Sequence, residues 1–234
     1  MISIRTNPSC VKEKEYIFDI VFSEFLGVAY SLNFCSLPDG ETVIMIGNQT
    51  TSLIVKDDFF QNAAVNWLSS ESMPKLPLAS FNTFDSFLDF KLSFPEIPVL
   101  FGKPNIDRLN NEKILCGLDL FGSMFFMLSR YEEMVVKERD QHDRFSAKSS
   151  VAFKGEFLMR PIVNEYLEIL WQLLSYLDNS LIRRERTFKT ILTCDVDWPF
   201  NPINRSYNLF AKTLLSSVAK LSLKKSFNIV KEFT

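Results

Sequence analysis

Histidine is almost absent from this chain: His142 is the only one in 234 residues. Catalytic zinc sites draw on several imidazoles or thiolates, so the ordinary ligand set for one is missing. Glycine is scarce as well, with 7 residues against 23 phenylalanines. That balance favours a bulky aromatic interior over a glycine-rich nucleotide loop. Cys10, Cys35, Cys116 and Cys194 stand singly with no Cys-x-x-Cys spacing, which argues against structural disulfides and zinc fingers. No apolar run reaches about 18 residues, so no membrane-spanning helix is expected. The first eight residues lack the apolar core of a signal peptide. Net charge is −2, so positive charge is not in surplus and the chain is no general nucleic-acid binder. A cytoplasmic protein is the expectation that these absences leave.

What is present is a globular balance, 47% apolar and 23% charged, enough for a sizeable core. Apolar residues at Tyr16, Ile17, Ile20, Val21 and Phe25 predict a helix over 14–26 that Gly27 can end. Residues 28–34, 42–46 and 52–55 read as strands, and Asp57 and Asp58 open a helix by complementing its dipole. Residues 69–98, with four prolines, read as an irregular region. Strands over 97–102 and 114–118 follow. A helix that Asp119 or Ser123 can cap follows, apolar around most of its circumference through Tyr131. Arg130, Glu132 and Glu133 at its far end read as an ion-pair network. After a polar excursion over 137–150, Pro161 opens a strongly periodic helix to Leu177. The charged run Arg183-Arg184-Glu185-Arg186 is the best domain boundary. The expected organisation is therefore a mixed α/β domain over 1–182 and a second segment over 187–234, with a core including Phe121, Phe125, Leu128, Tyr166, Leu170 and Leu173.

The most chemically suggestive stretch is Phe188-Lys189-Thr190-Ile191-Leu192-Thr193-Cys194-Asp195-Val196-Asp197-Trp198-Pro199. Its β-branched, apolar run predicts a short buried strand, on which Asp195 and Asp197 share one face. Buried carboxylates require a cation, donors or water. Downstream, Phe210, Leu214, Val218 and Leu221 mark one face of a basic amphipathic helix. If that face lacks cover, packing on the N-terminal domain, self-association through residues 207–230 or partial disorder is expected.

Ile191 to Pro199 resembles the first motif of a branch of the polysaccharide deacetylases, where Thr-His-Asp-Val-Asp is usual. Segments 97–102, 116–133, 140–145 and 160–171 look like the α/β domain of uncharacterised function that precedes the catalytic domain in that branch. The resemblance covers most of 97–200 and, more loosely, the first 96 residues. It implies a fold in which the N-terminal α/β accessory domain is followed by the first strand and helix of a deacetylase-type β/α barrel. It also implies a divalent, zinc-like metal and an acetylated oligo- or polysaccharide partner. By similarity Asp195 matches the catalytic base on metal-bound water, and Asp197 is the nearer metal-ligand candidate, although Val196 fills that slot in the commoner Asp-Asp-Gly form. Cys194 departs from the pattern, standing where that branch has histidine. No histidine follows residue 142, and 37 residues follow Asp197, so the His-x-x-x-His metal pair is missing and catalytic incompleteness is expected.

Two other readings stay open. Asp195-Val196-Asp197 also fits the Asp-x-Asp of a metal-dependent glycosyltransferase, where carboxylates hold a hard cation against a diphosphate. A non-enzymatic binding or scaffold domain is the third.

Overall fold

The computed structural model describes residues 2–37, 40–47, 50–185, 187–195, 207–220 and 228–230. It divides into two units, Met1–Glu185 and Arg186–Thr234. The first is a mixed α/β fold built on a six-stranded sheet in the order β2-β1-β3-β4-β8-β7, and among the described residues no barrel closes.

The strands are β1 (Ile2–Thr6), β2 (Tyr30–Phe34), β3 (Glu41–Ile46), β4 (Thr51–Lys56), β7 (Gly102–Arg108) and β8 (Lys113–Leu118). A separate antiparallel pair joins β5 (Ala79–Asn82) to β6 (Glu96–Val99). Residues 69–98, expected to be irregular, thus hold strand structure, and the extended run from 97 to 102 is divided between two sheets. The N-terminal β1 was not expected, although Ile2 and Ile4 alternate with polar residues in the two-residue period of a strand. Both isoleucines are fully buried. Strand β1 inserts between β2 and β3, pairing parallel with β2 and antiparallel with β3. Strands β4 and β8 are parallel neighbours inside the sheet, with β7 as the edge beyond β8.

Helix α1 (Val11–Phe18) continues as a π-helical segment, Asp19–Leu26, which ends at Gly27 with φ 64°. Helix α2 spans Asp58–Val65, α3 Leu120–Leu128, α4 Tyr131–Val135, α5 Val151–Lys154 and α6 Ile162–Leu177. The single long helix expected from Asp119 is two helices, because Arg130 adopts φ 55° and turns the chain. Arg130 and Glu133 form a two-point ion pair there, at 2.5 and 2.7 Å. Glu132 is not part of that pair; its carboxylate accepts the Val151 N–H at 2.7 Å.

Part of the phenylalanine surplus goes into a cluster joining α1, α2 and α3. Phe18 meets Phe121 at 4.7 Å, Phe59 meets Phe60 at 5.1 Å and Phe101 at 4.9 Å, and Phe60 meets Phe125 at 5.3 Å. Such edge-on and tilted pairs add to simple area burial. Of the expected core residues, Phe121, Phe125, Tyr166, Leu170 and Leu173 are buried and Leu128 is half-buried.

In the second unit, residues 187–195 carry no regular secondary structure and are exposed. Phe188 is 95% exposed and Leu192 93%, so these residues do not form the expected buried strand. A strand requires a ladder partner, and none is present among the described residues. Helix α7 spans Tyr207–Ala219. On its expected apolar face Phe210 and Leu214 are half-buried and Val218 is exposed, while Leu221 lies outside the described residues. No described helix is long and apolar enough to cross a membrane.

Candidate functional site

Strands β1, β2, β4 and β8 run in one direction, so their C-terminal ends share one edge of the sheet. That edge is where open α/β sheets bind ligands. Helices α1, α2 and α3 each start just after one of these strands, and three buried ionisable side chains gather around their N-termini.

Lys14 of α1 is fully buried, which is rare for a lysine. Its ammonium is 2.6 Å from Asp57 Oδ2, 3.0 Å from the Asn7 carbonyl, and 3.2 Å from both Thr6 Oγ1 and Ser9 Oγ. Thr6 Oγ1 is in turn 2.9 Å from Thr42 Oγ1. Asp57 directly follows β4 and was expected to serve the start of α2, yet its carboxylate turns to Lys14. The carboxylate that holds α2 is Asp119, from the end of β8. Its Oδ2 accepts the Phe59 N–H at 2.7 Å and its Oδ1 accepts the Gly122 N–H at 2.8 Å, so one side chain caps both α2 and α3. Gly122 makes this possible: a Cβ there would lie 2.5 Å from Asp119 Oδ2 and 2.5 Å from Phe59 Cβ.

Burial governs the electrostatics. It pushes the Asp57 carboxyl up to about 6, against the opposing pull of the Lys14 charge and hydrogen bond. Asp119, with no cation in contact, is pushed up to about 8 by burial and then by the Asp57 charge, against its two backbone donors. Behind it, the Tyr166 hydroxyl donates to the Pro98 carbonyl at 2.6 Å and accepts the Leu100 N–H at 3.2 Å. Burial raises the pKa of that phenol. Lys14, Asp57, Asp119 and Tyr166 thus have their polar atoms engaged by protein groups, and they hold the strand ends to the helix starts.

Beside this buried layer opens a cleft of about 420 Å³. Its polar wall is Asp58 and Asn62 of α2 with Glu71 and Lys75; its apolar wall is Met73, Pro77, Leu100 and Phe101. Asn62 Nδ2 donates to the Glu71 carbonyl at 2.6 Å, and Ser69 Oγ donates to the Glu71 carboxylate at 2.7 Å. Those Ser69 contacts lower the Glu71 pKa. Leu100 and Phe101 precede β7, and the Asp119 N–H donates to the Phe101 carbonyl at 3.1 Å, which fixes the cleft floor to the buried layer.

The family of unknown function DUF7033 matches residues 2–179. The chain belongs to that family. No curated protein matches it, and no solved structure does. The DUF7033 match covers the unit with the sheet and cleft and ends before the Asp195 motif.

That boundary corrects the resemblance drawn above. The match is to DUF7033 and not to a polysaccharide deacetylase family, so the short motif over 191–199 carried more weight than nine residues can bear. The roles of Asp195 as base and Asp197 as metal ligand, the zinc-like metal and the acetylated saccharide all rested on that resemblance. In the structure Asp195 is exposed in an irregular segment, and Asp197 lies outside the described residues. Among the described residues no three His, Cys, Asp or Glu side chains gather as metal ligands do. His142 sits in an exposed turn closed by Asp140, whose Oδ1 accepts its N–H at 2.8 Å. The four cysteines are free thiols.

Lys14 and Asp119 were missed as site residues. Lys14 counted only as a helix residue and Asp119 only as a cap. The signal in reach was an aspartate directly after each of two short apolar strands, 56-57 and 118-119, the placement that α/β sheets give to functional carboxylates.

Proposed function

We propose that residues 1–185 form a non-enzymatic binding module that takes a polyhydroxylated ligand, such as a mono- or oligosaccharide, in the carboxyl-edge cleft. The observation that carries this reading is the division of labour at the edge. Lys14, Asp57 and Asp119 are buried and committed to internal hydrogen bonds, while Asp58, Asn62, Glu71 and Lys75 line the open cleft next to them, with Asn62 and Glu71 held in place there by bonds at the exposed surface. Carboxylate and amide groups bind adjacent hydroxyls through paired hydrogen bonds, and Phe101, Met73 and Pro77 supply an apolar wall for the C–H face of a ring. The volume falls within the range of small-molecule clefts, about 300–1,000 Å³.

Ligand-observed NMR of the full chain against neutral mono- and oligosaccharides tests the proposal. Saturable binding is expected, weakened about tenfold or more by Asn62→Leu, which removes both amide functions from an exposed helix position. Absence of saturable binding across the panel, or binding indifferent to Asn62→Leu and Asp58→Ala in folded protein, overturns it.

A further inference from the structure

The two edges of the sheet are treated differently. Edge strand β7 carries Lys103, Pro104, Asp107 and Arg108, and its register against β8 shifts between Gly102 and Ile106. Charges, proline and irregular register are the devices that prevent a sheet from growing. Edge strand β2, Tyr30-Ser31-Leu32-Asn33-Phe34, has none of them. It runs in unbroken one-to-one register with β1 from Tyr30 to Phe34.

The direction of its free hydrogen-bonding groups follows from the ladder ends. The Ile2 N–H donates to the Ala29 carbonyl, and the Cys35 N–H donates to the Thr6 carbonyl. Odd-numbered residues therefore face β1, and Tyr30, Leu32 and Phe34 turn their N–H and C=O groups outward. Among the described residues no hydrogen bond to those outward groups is seen. Tyr30 is held in place by its ring contact with Phe22 at 5.3 Å, and Ser31 and Asn33 are exposed.

We propose that β2 is a self-association edge, on which a second copy of this chain pairs antiparallel about Leu32. The sequence of the strand is self-complementary in that register. Leu32 opposes Leu32, each Tyr30 opposes a Phe34, and each Ser31 opposes an Asn33. All three residues with outward groups become hydrogen-bonded pairs, giving about six inter-strand bonds. Aromatic pairs and polar pairs then lie directly across the two-fold axis, and such cross-strand pairs are the unit of sheet stabilisation.

Sedimentation of the full chain over a concentration series tests this, with three variants. A reversible dimer is expected. Ser31→Lys combined with Asn33→Lys sets like charges opposite each other twice across the axis and raises the dimer Kd about tenfold. Ser31→Lys combined with Asn33→Glu sets opposite charges in the same positions and restores the Kd to within about threefold of the parent. Leu32→Pro removes a central donor and abolishes the dimer. Circular dichroism keeps the two charge variants comparable, since both positions are exposed. The outward amides of Tyr30, Leu32 and Phe34 gain hydrogen-exchange protection as concentration rises. A chain that stays monomeric at all concentrations overturns the proposal. So does a dimer whose Kd the double-lysine variant leaves unchanged, or one that the lysine–glutamate variant fails to restore.

Discussion

The Asp119 carboxylate accepts the Phe59 N–H at 2.7 Å across 60 positions of sequence, while its other oxygen accepts the Gly122 N–H three residues on. A local cap and a long-range tie are thus the same side chain, and it sits where the neighbouring parallel strands β4 and β8 end. Asp119→Ala is expected to cost about 2–4 kcal/mol, the sum of two lost caps. Asp119→Asn keeps one acceptor oxygen and loses less. Urea denaturation of the three proteins checks the order.

Lys14 and Asp57 form the buried ion pair of the same edge, with both side chains nearly inaccessible. Removing one partner leaves the other charge buried without compensation. Lys14→Met is expected to destabilise by about 3–5 kcal/mol, and Lys14→Met combined with Asp57→Leu by clearly less than the two single changes together. Thermal melts of a double-mutant cycle measure the coupling.

The raised carboxyls give stability a definite pH slope. Asp57 and Asp119 move from 3.8 in the unfolded chain to about 6 and about 8 in the fold. Between these limits the native state holds more protons than the unfolded state, so stability falls as pH rises. The contribution is complete below about pH 4 and lost as pH climbs through 6 and 8. Denaturation midpoints are expected to decrease from pH 5 to pH 8.5, with a shallower slope in Asp119→Asn. A midpoint rising over that window would contradict the assignment.

Gly122→Ala tests the close approach that lets Asp119 reach two helices. The added methyl meets an oxygen and a Cβ at 2.5 Å, in a helix where alanine is otherwise the better residue. A loss of about 1–3 kcal/mol is expected where helix propensity alone would predict a gain of about 1. Chemical denaturation distinguishes the signs.

Proteolysis tests the division between the units. Arg184 is held by the Leu26 and Glu24 carbonyls, and Arg183 pairs with Glu168 at 2.7 Å. Lys189 lies in the exposed, irregular stretch 187–195. Limited trypsin treatment is expected to cut at Lys189 before Arg183 or Arg184, leaving a fragment that begins at residue 1. Mass spectrometry of the first products identifies the site.

Periodicity and local chemistry determined a large part of this fold from sequence alone. The apolar stripe of α6, the aspartate before α3, the stop at Gly27 and strands β4 and β8 are each specified within a few residues, because helix faces, caps and short β-branched runs are local preferences. The break at Arg130 was invisible, since nothing in an uninterrupted apolar helix pattern announces a left-handed residue. Strand β1 and its place between β2 and β3 were decided by long-range pairing, which sequence neighbours do not encode. The expectation of a strand over 188–199 failed in its described part, 188–195, for the same reason: β-branched residues favour a pleated surface only where a partner strand offers one. Asp195 and Asp197 stood out as carboxylates in a row, whereas the carboxylates that meet at the sheet edge are Asp57 and Asp119. Only the parallel pairing of β4 with β8 brings those two together; burial first, and then neighbouring carboxylate charge, raises their proton affinity, while Asp57 turns to Lys14 and Asp119 to two helix ends.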